Sequence, residues 1–298
     1  MYSPLYSFAK RFTETNITCP NGWEFPLEWF DECIDIFWMK AGFILGLIEL
    51  FIWFIALTPQ ILLNVRNKHS GAFTVTFIGC WIIGDLLNLI VVILTEQITV
   101  IKMIALFYLF PDFILLLQLA KYGPANDPRR NVQIPGIIFG TIFLQQNLFG
   151  SQNIQLSETL SAVPLHYLVI TAYILSLIAA GFYVTGRYHQ CQRNAILKNA
   201  DYLSPILFML SIIANVLHIA CIIFQMDTNN AGNYFFMHLP SLLCVLCIPF
   251  DAIILWQIYE AKQQNEYVLY QQNDALLEPQ QQQQQRPIIV QQSTVNVV

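Results

Sequence analysis

Four carboxylates stand where apolar sequence ought to exclude them. Glu49, Asp85, Asp112 and Asp251 each fall inside a long apolar run, and about 20 such residues cross the hydrocarbon core as a helix. A charge at the bilayer centre costs about 2.5–3.5 kcal/mol even on lenient insertion scales, so such a group persists when it faces a cavity, holds a proton or meets a cation. No lysine or arginine is expected deep in a span, with Lys102 at an edge. The excess of negative groups suits a site for a positive substrate, a proton, or both. Asp85 sits beside Gly84 and one helical turn from Asn88. Asp112 and Asp251 lie near Pro111 and Pro249, which free backbone carbonyls that could coordinate a cation. The amides of Asn88, Gln118, Asn215 and Gln257 either orient an amino-acid backbone or bond between helices. Glu49 reads as a structural hydrogen-bonding group. The candidate substrate- and proton-binding set is therefore Asp85, Asn88, Asp112, Gln118, Asn215, Asp251 and Gln257.

The elements that must hold these groups follow from composition. Of 298 residues, 56% are hydrophobic and 11% charged, with a mean hydropathy of +0.52. Soluble domains carry about a quarter charged residues, so the chain reads as an all-α polytopic membrane protein. A net charge of −5 argues against a nucleic-acid surface. No Cys/His spacing indicates a metal site, and Cys244 and Cys247 read as small buried hydrophobes. No HExxH, GxSxG or paired-aspartate protease signature indicates an enzyme, and no cofactor is implied. Seven apolar runs are expected as spans, near 41–63, 73–95, 101–120, 132–149, 165–186, 203–225 and 236–258. The fourth is diluted by Gln133, Gln145, Gln146 and Asn147.

Basic residues give the orientation. Arg66, Lys68, Lys121, Arg129, Arg130, Arg187, Arg193 and Lys198 are expected in one set of loops, and Lys102 alone in the other. The first set is cytosolic by this rule, which makes the N-terminus lumenal or extracellular and the C-terminus cytosolic. Asn16-Ile17-Thr18 is a glycosylation sequon, useful only on the lumenal side. Cys19 and Cys33 form either a disulfide there or two thiols. From about residue 260 the Gln-rich tail is expected to be disordered.

An internal repeat organises the spans. At an offset of 130 positions Gln60 meets Gln190, Asn64 meets Asn194, Lys68 meets Lys198, Asp85 meets Asn215, and Asn88 meets His218. The later pairs Asp112 with Asp251 and Gln118 with Gln257 share an offset of 139, which places a short insertion around Asp227–Asn233. Each repeat holds an odd number of spans. One added span between them restores a common orientation, so two parallel three-helix bundles joined by a linker helix are expected, a 3+1+3 plan. The divisions are a lumenal segment at 1–40, a first repeat at 41–120, a linker at 121–164, a second repeat at 165–259 and a tail at 260–298.

Leu57-Thr58-Pro59-Gln60-Ile61, then Asn64, Lys68-x-Ser70-Gly71 and Trp81-x-x-Gly84-Asp85-x-x-Asn88 resemble the first signature of the PQ-loop membrane proteins. They are most similar to its lysosomal and vacuolar cationic amino-acid exporter branch. The resemblance extends over about 19–260. It implies a seven-helix fold similar to the SWEET carriers and export of arginine, lysine or histidine from an acidic lumen. It also implies hinges at the two motifs, here Pro59-Gln60 and His189-Gln190; the two facing bundles imply alternating access, and the membrane carboxylates proton-coupled or facilitative export. The second motif departs, reading Tyr188-His189-Gln190. Losing a proline restores a backbone donor and removes a break. Other readings are a ligand sensor that recruits cytosolic partners through loops or tail with little flux, or a carrier of cystine or sugar.

Overall fold

The computed structural model describes residues 21–30, 33–70, 73–95, 99–123, 164–198, 200, 202–226 and 231–284. Its elements are helical: α1 (Glu24–Phe30), α2 (Phe37–Ala56), α3 (Thr58–Asn67), α4 (Val75–Leu94) and α5 (Thr99–Tyr122) in the first half. The second half holds α6 (Leu165–Leu197), α7 (Pro205–Phe224), α8 (Ala231–Leu243), a 3-10 turn at Cys244–Leu246 and α9 (Cys247–Gln284). Six stretches among the described residues are long and apolar enough to cross a membrane. The expected span at 132–149 lies outside the described residues, as do Asn16 and Cys19. Cys33 is disulfide-bonded.

The two halves begin differently, for the reason their sequences give. In the first, Pro59 enters near the start of α3, and the helix interrupts at Leu57 before resuming at Thr58. Proline lacks the N–H that would continue the ladder and its ring crowds the preceding turn. At the equivalent place in the second half stands His189, and α6 runs unbroken from Leu165 to Leu197. Both helical stretches then stop identically. Lys68 and Lys198 cap them in the left-handed region, at φ 49° and 47°, a conformation non-glycine residues adopt singly.

Two expectations need correction. Arg187 and Arg193 were assigned to a loop after a fifth span ending near 186, but both lie inside α6, and Arg187 is buried. The apolar window ends there, yet the helix continues with one buried stripe of Arg187, Gln190, Cys191 and Asn194, the spacing of one helical face. The tail is also helical to Gln284 rather than disordered from 260. Its Gln, Glu, Lys, Ala and Leu residues are all good helix formers. Past Tyr259 this helix belongs to a second unit, where Gln271 Nε2 donates to Tyr267 Oη one turn away at 2.9 Å.

Within the first unit the principal packing pairs one helix from each repeat: α4 lies along α6, and α2 along α7. Glycine permits both approaches. A Cβ added to Gly42 of α2 would come within 3.2 Å of the Cys221 carbonyl oxygen on α7. One added to Gly84 of α4 would come within 2.7 Å of the Tyr183 ring on α6.

Candidate functional site

The Pro-Gln region and its counterpart build two matching polar clasps. In the first, Gln60 Nε2 donates to Asn64 Oδ1 at 2.8 Å, Asn64 Nδ2 donates to Gln118 Oε1 at 2.8 Å, and Gln118 Nε2 closes onto the Ile61 carbonyl at 3.0 Å. In the second, Gln190 Nε2 donates to Asn194 Oδ1 at 2.9 Å, Asn194 Nδ2 to Gln257 Oε1 at 3.0 Å, and Gln257 Nε2 to the Cys191 carbonyl at 3.0 Å. Every residue of one clasp is the repeat partner of a residue in the other.

The clasps also reach across. Gln60 Oε1 accepts the backbone N–H of Ser204 at 2.7 Å, and Gln190 Oε1 accepts that of Thr74 at 2.9 Å. Ser204 and Thr74 are the N-cap residues of α7 and α4. Each half thus satisfies a backbone donor at the start of a helix in the other, where helix termini leave such groups without intrahelical partners. Gln60 Nε2 adds a bond to the Tyr202 carbonyl at 2.8 Å. Gln60 and Gln190 are both fully buried, and each unmet bond would cost desolvation energy.

A cavity of about 220 Å³ is bounded by side chains from both halves, among them Glu49, Asp85, Asn88, Asp112, Asn215 and His218. On one side Tyr183 Oη donates to Asp85 Oδ1 and accepts from Asn88 Nδ2 at 2.8 Å. The absence of a side chain at Gly84 makes room for that tyrosine. Asp112 lines the same cavity as Asp85. On the other side His218 Nδ1 lies 3.2 Å from Glu49 Oε2, so Glu49 is held as the structural partner expected of it. Asn215 Nδ2 donates to the Ser211 carbonyl at 2.8 Å.

Three buried polar atoms on the cavity wall lack a hydrogen-bond partner among the described residues. They are Asp112 Oδ2, Tyr108 Oη and Trp81 Nε1. An acceptor, a hydroxyl and a donor on residues of one enclosure call for polar partners, which water or a polar guest supplies, because buried polar groups in proteins are otherwise satisfied.

Asp251 belongs elsewhere. Arg187 Nε donates to its Oδ1 at 2.8 Å, and Ser211 Oγ donates to its Oδ2 at 2.6 Å. Arg187 Nη2 donates in turn to Ser211 Oγ at 3.0 Å, and the guanidinium lies 5.1 Å from the centre of the Trp81 ring. The expectation that no basic residue lies deep in a span is therefore overturned: this acid has an internal counter-ion. Of the sequence candidates, Asp85, Asn88, Asp112 and Asn215 line the cavity, while Asp251, Gln118 and Gln257 do not. The two glutamines are spent in the clasps. His189 points away from the core, and its neighbour Gln190 does the joining. Cys244 and Cys247 face the cavity as reduced thiols.

Tyr183 and Tyr108 are absent from the sequence candidates, and Arg187 is read there as a loop residue and not as part of the site. The stripe of polar residues at 187, 190 and 194 was a usable sign for the arginine. For Tyr183 the sign was the glycine beside Asp85, which leaves space for a neighbour. Tyr108 carried none, being one aromatic among many.

Comparison with known proteins adds a second line. Residues 41–100 match the PQ loop repeat family. The chain is 24% identical over 281 residues to the lysosomal amino acid transporter 1 homolog of Rattus norvegicus, covering 87% of this chain and 92% of the rat protein. It is 23% identical over 275 residues to the vacuolar arginine/histidine antiporter YPQ2 of Saccharomyces cerevisiae, covering 76% and 87%. Against the vacuolar lysine transporter YPQ1 of the same yeast, identity is 33% over 87 residues, 28% of each chain. These relatives are transporters, not enzymes. The chain thus carries a match to the PQ loop repeat at 41–100, has six candidate membrane spans among the described residues, and is similar over most of its length to lysosomal and vacuolar amino acid transporters.

Proposed function

We propose that the chain is a secondary transporter that exports cationic amino acids (arginine, lysine or histidine) from a lysosomal or vacuolar lumen to the cytosol. The observation that carries this reading is the cavity bounded by both repeats, which Asp85 and Asp112 both line and where Asp112 keeps an unmet acceptor. Of the four carboxylates inside spans, Asp251 is matched by Arg187 and Glu49 by His218. Arg187 also lines the cavity but is held by Asp251; Asp85 and Asp112 have no arginine or lysine bonded to them among the described residues, which favours a positive guest over a sugar. Relatives matched over most of their length, a lysosomal amino acid transporter homolog and a vacuolar arginine/histidine antiporter, fit the same substrate class.

The architecture that goes with this reading has parallel three-helix repeats at 41–120 and 165–259, joined by a linker within 121–164 and enclosing the site. The clasp bonds from Gln60 to Ser204 and from Gln190 to Thr74 close one end, the cytosolic one if the basic-loop orientation holds. Alternating access then requires those bonds to break together. Pro59 gives the first repeat a place to bend, while the second moves as a continuous helix. A carboxylate in the cavity binds the substrate's positive side chain or accepts a proton that accompanies the substrate out of the lumen, which couples flux to lumenal acidity. Neutralising charge in this way lowers the cost of a low-dielectric passage.

Flux of radiolabelled amino acids into vesicles containing the purified chain, with and without an imposed pH gradient, tests the reading. Saturable arginine flux that is lost in Asp85→Asn supports it.

A further inference from the structure

The two repeats treat equivalent aspartates in opposite ways. In the second, Asp251 holds the guanidinium of Arg187, which stands three residues before Gln190, and Ser211 completes the bonding. In the first, Asp112 occupies the place of Asp251. Three residues before Gln60, where an arginine would stand, is Leu57, and at the Ser211 position is Trp81. Leu57 and Trp81 both line the cavity, as does Asp112. The equivalence is structural as well as sequential, because the clasps at 60, 64 and 118 repeat those at 190, 194 and 257 bond for bond.

Asp112 is 1% exposed, and its Oδ2 has no partner among the described residues. Trp81 Nε1, on a residue lining the same cavity, also has no partner among the described residues. The first repeat therefore has the carboxylate of a buried arginine site without the arginine.

We infer that the Asp112 carboxyl is the seat for the substrate's cationic head, and that it is shaped for a guanidinium, the group its twin already holds. This rests on the transport reading and sharpens its substrate to arginine. A planar guanidinium presents two parallel donors to a carboxylate, whereas an ammonium is a point charge. Leu57 contributes only an apolar wall, so the guest supplies the charge that Arg187 supplies opposite. Asp85, tied to Tyr183, steadies the second side of the seat.

The test measures ligand-dependent thermal stabilisation of the purified full chain by L-arginine and by L-citrulline, its neutral isostere. Wild type is expected to respond to arginine at concentrations at least about tenfold below those needed for citrulline, the scale of one hydrogen bond to a charged group. Asp112→Asn is expected to erase that difference. Leu57→Arg, which tethers a guanidinium to the empty position, is expected to lose the arginine response too. Either variant decides if the other fails to fold. An arginine preference that persists in Asp112→Asn or in Leu57→Arg overturns the inference and leaves the transport reading standing. A wild type that responds to no cationic amino acid overturns the transport reading and the inference with it.

Discussion

The Arg187–Asp251 pair supplies a prediction whose size follows from its burial. Both side chains are nearly inaccessible, at 3% and 1%, with 2.8 Å between Nε and Oδ1. Removing one partner strands a buried charge, which costs about 3–5 kcal/mol, whereas replacing both with apolar groups of similar volume is often neutral or stabilising. Asp251→Asn and Arg187→Met should each lower unfolding stability by that amount. The double replacement Arg187→Met with Asp251→Leu should recover most of it. A remainder of about 1 kcal/mol is expected, because Ser211 Oγ would lose both of its partners in the triangle. Reversible unfolding in mixed micelles, run as a double-mutant cycle, measures the coupling. Single variants within about 1 kcal/mol of wild type, or a double variant as unstable as the sum of its parts, would refute the claim that Asp251 is a structural acid.

Two further outcomes follow from the same geometry. Gln60→Leu deprives Ser204 N–H, the Tyr202 carbonyl and Asn64 Oδ1 of their buried partner. It should cost roughly 2–5 kcal/mol, and Gln190→Leu should cost a similar amount; a loss under about 1 kcal/mol in the same unfolding assay would contradict the clasp. Gly84→Ala sets a methyl 2.7 Å from the Tyr183 ring, so it should pull that tyrosine off Asp85 and depress arginine flux at least tenfold. Gly181→Ala, whose added carbon meets nothing within 4 Å, is the matched control and should transport normally.

Much of this arrangement is legible in the sequence because a repeat states equivalence. The 130-residue offset pairs Gln60 with Gln190 and Asn64 with Asn194, and the structure uses each pair in the same bonds. Offset cannot say what an equivalent pair touches. Gln118 and Gln257 read as substrate-orienting amides from their place inside spans. They instead close the clasps, a fact that depends on which face of α5 and α9 meets α3 and α6. Arg187 was misplaced for another reason. Hydropathy reports where apolar sequence ends, not where a helix ends, and α6 carries its arginine inward for eleven residues of polar helix, 187–197. Asp251 then loses the exposed charge that sequence alone assigns it. Asp85 and Asp112 have no arginine or lysine bonded to them among the described residues and stay candidates. The proline break was readable directly, since Pro59 interrupts one helix and its absence at 189 leaves the other whole.

The central claim is that anionic groups within a cavity shared by the two repeats carry a cationic amino acid through the membrane. Its most direct test is initial-rate flux of radiolabelled L-arginine in reconstituted vesicles for wild type and Asp85→Asn, with the variant's folding verified by its unfolding profile. The account predicts saturable flux in wild type and a fall to the level of empty vesicles in the folded variant. Equal saturable flux in both proteins, or none in wild type, would contradict it.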